Sequence, residues 1–158
     1  MEVRAAVETD LQAIVELTNH EIEHGVAHFG LEPWSPEQAR AQFRARRHPW
    51  VVAYEEDFLG FAKAGPWKAR GAYDRTVEVG VYVRPSERGR GVSTALYRLL
   101  IEELRKARVH TVLAGIALPN VASVRLHERF GFRHSGTLPE VGFKFGQFHD
   151  VGYWALQL

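Results

Sequence analysis

The stretch from Thr76 to Tyr97 constrains this chain more than any other. From Thr76 to Val83 the residues alternate, with Val77, Val79, Val81 and Val83 on one face and Thr76, Glu78, Gly80 and Tyr82 on the other. A period of two rich in β-branched residues predicts a strand with one face in the core. The second face carries a carboxylate, a gap left by a glycine, and a phenol. Pro85 ends the pairing, and Arg88 to Gly91 opens a helix whose apolar stripe is Leu96, Leu100, Leu104 and Ala107. A glycine-containing turn that feeds a helix N-terminus offers backbone N–H groups at the positive end of the helix dipole, where phosphates bind. One element thus sets an ionisable group, Glu78, just ahead of an anion cradle.

The cradle is of neither common nucleotide type. No Gly-Lys-Ser/Thr follows the glycines, and G-x-G-x-x-G spacing is absent. On local evidence alone the turn reads equally well as a plain surface connection. Composition narrows the rest. A chain of 158 residues, 46% hydrophobic and 25% charged, suits one domain over 1–158 with a sizeable core. A net charge of +1 gives no field that demands nucleic acid or an acidic membrane. The absence of cysteine excludes disulfides, thiol catalysis and cysteine-bound zinc. No basic segment followed by an apolar run opens the chain, and no apolar run is long enough to span a bilayer, so a soluble cytoplasmic protein is the default expectation.

Glu2 to Ala6 predicts an opening strand. Thr9 and Gln12 form a capping box ahead of Leu11, Ile14, Val15, Thr18 and Ile22 at helical spacing. His20 and His24 lie one turn apart, but no third ligand accompanies them, and a solvated face is the better reading. Gly25 ends that helix, and a loop with His28 and Phe29 follows. Ser35 and Gln38, with Pro36 between, cap a second helix that runs to about Arg47. Its arginines, Arg40, Arg44, Arg46 and Arg47, read as a solvated face because no aromatic interleaving supports nucleic-acid binding. Trp50–Tyr54 and Phe58–Ala64 predict a hairpin. The loop from Gly65 to Asp74 carries two cations and two aromatics. His110–Ala117 predicts a strand, Asn120 begins a short helix closed by Gly131, and Phe132–Phe145 and Gln147–Leu158 predict the last two strands. Asn120, Ser123 and His127 share one face of the short helix. The order β-α-α-β-β-β-α-β-α-β-β makes one mixed α/β domain, an α+β arrangement with a central sheet flanked by helices.

Arg88-x-x-Gly91-x-Ser93 after a strand resembles the acetyl-coenzyme A motif of the GNAT N-acetyltransferase superfamily, with Ser93 where a glycine or alanine is usual. Gly65–Arg70, Ala72–Asp74, Thr76–Glu78, Val81–Val83, Leu118–Asn120, Ser123–Glu128 and His149–Trp154 further resemble phosphinothricin acetyltransferases. The resemblance spans nearly the whole chain. It implies the GNAT fold, acetyl-CoA as cosubstrate, a homodimer, and transfer to the amino group of phosphinothricin, methionine sulfoximine or methionine sulfone in a ternary complex.

The resemblance also implies roles. Glu78 aligns with the proposed general base that takes a proton from the substrate ammonium. Its alternative is a structural carboxylate paired with Arg75 or Lys68. Val81, Tyr82 and Val83 would meet the pantetheine arm, and Val81 and Val83 N–H groups are candidates to face the oxyanion. The pyrophosphate would lie on the amides of Gly89, Arg90, Gly91, Val92, Ser93 and Thr94, with Arg88 and Arg90 adding charge. Asn120 and Ser123 would hold the cofactor. His127 stands where many GNAT enzymes place a tyrosine, and reads either as the acid for the leaving thiolate or as a helix-surface histidine. Phe29, Lys68, Arg70, Arg75 and His149 would line the substrate side, with Arg70 and Arg75 as a fork for its carboxylate. Arg75, Gly30 and Val79 depart from the family pattern around that pocket. Two rivals stand beside this reading. One is a GNAT enzyme for a polyamine or peptide N-terminus, which an acidic pocket would favour. The other is a non-catalytic acetyl-CoA-binding module, against which Glu78 argues.

Overall fold

The computed structural model of the protein describes residues 1–158. Seven strands and four helices follow one another as β1 (Glu2–Ala5), α1 (Leu11–His24), α2 (Pro36–Ala45), β2 (Trp50–Tyr54), β3 (Phe58–Pro66), β4 (Thr76–Val83), α3 (Val92–Lys106), β5 (Thr111–Ala117), α4 (Val121–Arg129), β6 (Arg133–Lys144) and β7 (Gln147–Gln157). This is the expected order. The strands form one sheet in the order β1-β2-β3-β4-β5-β7-β6, antiparallel throughout except where β4 and β5 run parallel.

The alternation of β4 decides which layer each side chain enters. Val77, Val79 and Val83 pack beneath α3 with Leu96, Tyr97, Leu100 and Leu104, and this is the main core. On the opposite face Phe61, Val52 and Trp50 join Leu11, Ile14, Leu17 and Phe43 from α1 and α2. Those two helices cover the β1–β3 side of the sheet. Glu78, Gly80 and Tyr82 therefore open onto a cleft at the edge of the second layer.

Three local expectations need correction. Thr9 does not cap α1. Residues Glu8–Asp10 form a turn of 3-10 helix, and Asp10 Oδ2 accepts the Val7 N–H at 2.8 Å, a bond that Arg4 and Tyr54 reinforce from elsewhere. The second capping box forms as expected, since Ser35 Oγ accepts Gln38 N–H and Gln38 Oε1 accepts Ser35 N–H. Its helix, however, stops at Ala45, where Arg46 turns to extended backbone and lays its guanidinium over the Phe43 ring. Ala107 leaves the apolar stripe of α3 and is exposed at the helix end, while Val92, Tyr97 and Ile101 join it.

Candidate active site

Parallel pairing between β4 and β5 covers only Thr76–Thr111, Val77–Val112 and Glu78–Leu113. Beyond Glu78 the two strands part, although each continues. Leu59 accepts Arg84 N–H and Thr76 accepts Trp67 N–H, so the ladder with β3 uses the even-numbered residues at this edge of β4. The odd-numbered valines turn their backbone toward β5. Past the divergence, Val81 and Val83 keep backbone groups with no ladder partner, and these face the gap. Tyr82 belongs to the other set. Its backbone is directed to β3, and its ring lies beside Gly80 and 5.3 Å from Phe61.

The gap leads straight to the turn before α3. Gly89 and Gly91 have φ of +81° and +82°, a left-handed conformation that only glycine adopts without strain, and both face open space. Gly91 is the residue that caps α3, so the amides from Val92 onward point out of the helix. Arg88 and Arg90 flank this turn but are already engaged. Arg88 reaches the buried Glu21 of α1 at 2.7 Å, and Arg90 pairs with Glu55 and Glu87.

Glu78 is half-buried at the mouth of the gap. Neither Arg75 nor Lys68 meets it. Arg75 donates instead to the Arg108 carbonyl at 3.3 Å, and Lys68 lies over the rings of Trp67 and Tyr73. With no cation near, burial raises the pKa of Glu78 above the ordinary carboxylate range. Its Oε1 lies against the backbone of Gly115 on β5, where a Cβ would come within 3.0 Å. Tyr153, the neighbour of Gly115 on β7, stands on the same side, and burial together with the Glu78 charge raises its pKa.

His127 is not a surface histidine, for it is 3% exposed. Its Nδ1 lies 2.7 Å from the Ser123 carbonyl, which can only accept, so the ring donates there. Nε2 is then the acceptor for the Tyr97 hydroxyl at 2.8 Å. Burial lowers the His127 pKa, which keeps the ring neutral. Asn120 caps α4 by accepting Ser123 N–H at 3.1 Å, and this fixes the turn that presents Ser123 and His127.

A cavity of about 810 Å³ is lined by Phe29, Glu78, Val81, Tyr82, Asn120, Ser123 and His127 from the sequence-based set, while Val83 and the turn from Arg88 to Thr94 lie outside its lining. Tyr97, Tyr153, His28 and Lys63 line it too and were not singled out from sequence. Phe29 and His28 reach it because their loop is tied down. Lys144 donates to the carbonyls of Gly25 and His28 at 2.7 Å, and Asn19 exchanges two hydrogen bonds with Trp34. The structure does not bring Lys68, Arg70, Arg75 or His149 into the cavity. The first three are exposed around the β3–β4 connection, and His149 hydrogen-bonds the Lys144 carbonyl within the last hairpin. Outside the cavity, His20 and His24 stack on an exposed face of α1.

The profile of the acetyltransferase (GNAT) family matches residues 11–132. The chain belongs to that family. GNAT proteins are acetyl-CoA-dependent N-acetyltransferases, and the gap between β4 and β5 with its glycine turn is the part of this chain that fits the cosubstrate. Among relatives, it is 40% identical to a phosphinothricin N-acetyltransferase of Streptomyces coelicolor, over 98% of this chain and 94% of that one. It is 35% identical to an L-methionine sulfoximine/L-methionine sulfone acetyltransferase of Salmonella typhimurium, covering all of this chain and 95% of the other. A GNAT phosphinothricin acetyltransferase of Sinorhizobium meliloti, solved with acetyl-CoA, superposes with a TM-score of 0.95 at 30% identity, over 99% of this chain and 88% of that one. No helix here is long and apolar enough to cross a membrane.

Proposed function

We propose that this GNAT enzyme acetylates the amino group of a small amino-acid-like substrate of the phosphinothricin, methionine sulfoximine or methionine sulfone type, by direct attack in a ternary complex. The observation that carries this reading is Glu78, an unpaired carboxylate of raised pKa at the point where β4 leaves β5. An amino acid reaches an enzyme at neutral pH mostly as its ammonium, which cannot attack a thioester. Glu78 takes that proton, directly or through water, and its raised pKa brings it nearer the amine it must serve. Val81 and Val83 supply N–H donors toward the charge that develops on the carbonyl oxygen. The amides of the Gly89–Thr94 turn hold the pyrophosphate, and Arg88 and Arg90 add positive charge at its edge only on leaving Glu21, Glu55 and Glu87.

The leaving thiolate, with an ordinary thiol pKa of about 8.5, needs little help. His127 orients the Tyr97 hydroxyl in the cavity wall, and with Nδ1–H given to Ser123 and the Tyr97 proton given to Nε2, neither group has a proton free for the thiolate. The relatives' names support the amino-acid class, and the cavity's single acidic lining residue speaks against a polyamine. A homodimer completes the reading. β6 is an edge strand, and Leu138, Val141, Phe143, Phe145 and Phe148 leave its hairpin with exposed apolar surface that a second copy would cover.

The test is a screen of amino-acid analogues with acetyl-CoA, read as free thiol release. Release with at least one of the three named substrates, well above the rate with acetyl-CoA alone, is the expected result. No release with any of them removes the assignment.

A further inference from the structure

Lys63 has no part in the reaction described above, yet its ammonium faces the same cavity. It sits on β3 opposite Gly80 of β4 and beside Trp50 of β2. Its Nζ lies 4.4 Å from the Trp34 ring centroid and 4.8 Å from that of Trp50. No carboxylate or carbonyl reaches it, and burial alone lowers its pKa, to about 8. The side chain is therefore still mostly protonated at neutral pH. Two ring faces soften the cost of burying that charge but supply no counter-charge.

The surroundings have the same sign. The charged residues lining the cavity are Arg46, Arg47, Lys63 and Glu78. Arg46 stacks on Phe43, and Phe43 packs edge-on against Trp50, so Arg46 belongs to the Lys63 end. His28 is nearby but neutral, its pKa pushed down to about 4 by burial and by the charges of Lys63 and Lys144. Glu78 lies at the other end. The two side chains turn apart, Glu78 Oε1 toward Gly115 of β5 and Lys63 Nζ toward Trp34 and Trp50, and no ion pair joins them. Two residues of strand, about 7 Å, separate their backbone positions, and the Lys63 side chain turns toward the tryptophans.

We propose that the Lys63 end of the cavity is an anion subsite, and that the substrate carries a second negative charge, on its side chain, held by Lys63 while its amine meets Glu78. The α-carboxylate is fixed to the carbon that bears the amine and stays near Glu78, whereas a group at the end of the side chain reaches farther toward the tryptophans. A phosphinate, carboxylate or sulfonate at the end of a short side chain fits it. The inference rests on the amino-acid reading given above.

The experiment compares kcat/KM for phosphinothricin, whose side chain is anionic, with that for methionine sulfone, whose side chain is neutral, in wild type and Lys63→Met. The substitution should lower the phosphinothricin value by about 10–100-fold while moving the methionine sulfone value less than about threefold. Lys63→Arg should keep much of the preference, and Lys63→Gln serves if the methionine variant does not fold. Equal losses on both substrates would show that Lys63 holds something the two share, and would overturn the subsite. So would unchanged kinetics, or a wild type that acetylates methionine sulfone but not phosphinothricin, and either result leaves the amino-acid reading standing. Acetylation of neither compound defeats that reading first, and the subsite with it.

Discussion

The Glu78 carboxylate rests on the bare backbone of Gly115, across the last pair of residues that join β4 to β5. A methyl group at Gly115 would stand 3.0 Å from Glu78 Oε1 and 3.2 Å from the Tyr153 ring. The carboxylate can swing aside, but only by leaving its place at the mouth of the gap. Gly115→Val should therefore lower turnover by about 10–100-fold, the cost of a displacement near 1 Å at a reacting group. Acetyl-CoA affinity, measured by calorimetry, should change little. Full turnover in a folded Gly115→Val protein would mean that the position of Glu78 is not critical.

Glu78→Gln keeps shape and hydrogen-bonding atoms but cannot accept a proton. Turnover at neutral pH should fall by about 10²–10⁴-fold and recover in part as pH rises and more amine arrives deprotonated. The same variant has a stability signature. The folded protein holds the Glu78 proton more tightly than the unfolded chain does, so ionisation of Glu78 costs stability. That cost is absent below the unfolded pKa, grows as pH rises, and is complete above the folded pKa. Glu78→Gln should be more stable than wild type at pH 7, and the advantage should vanish by about pH 3, below the ordinary glutamate value. Urea titrations at the two pH values decide it.

Gly91→Val tests the turn. A β-branched residue at φ +82° costs about 1–2 kcal/mol and tilts the amides that follow. The dissociation constant for acetyl-CoA should rise at least about tenfold while circular dichroism shows a folded protein. An unchanged constant would move the phosphate site elsewhere.

Asp10, 3% exposed, makes a pH prediction of the opposite sign. Burial alone would raise its pKa, but hydrogen bonds from Arg4, the Val7 N–H and the Tyr54 hydroxyl win and hold it below the ordinary value. The stability it contributes is present above the unfolded pKa and is lost as pH falls through the lower folded one. Asp10→Asn should cost about 1.5–3 kcal/mol at pH 7. The difference from wild type should close as pH falls below the lowered folded value, where Asp10 is protonated in the folded and the unfolded state alike.

Much of this was legible from local pattern. Period-two valines give β4 its two faces, Ser35 and Gln38 cap α2 with neighbours only, and two glycines mark the turn before α3. What sequence could not show depends on distant partners. Asp10 outcompetes Thr9 because Tyr54, 44 residues away, and Arg4 both bond it. His127 is drawn inward by Tyr97, 30 residues earlier, although helical spacing alone leaves it free to face solvent. Lys63 sits in an apolar run where a lysine reads as an outward position; only the crossing of Trp34 and Trp50 over it reveals an enclosed charge. Arg75 lies close to Glu78 in sequence, yet it precedes the strand and bonds the end of the α3 segment instead.

Three residue pairs are all that join the β1–β4 half of the sheet to the β5–β7 half by backbone pairing. Elsewhere neighbouring strands share from four to eight. The molecule thus has a seam, and the seam runs beside the backbone groups of Val81 and Val83 that no strand satisfies. A ligand that bonds them does a missing strand's work, so occupancy and cohesion of the two halves become one quantity. At a hundredfold excess over its dissociation constant such a ligand adds about 2.7 kcal/mol to global stability. Amide exchange along β4 and β5 should slow with it, because opening the seam then requires release first.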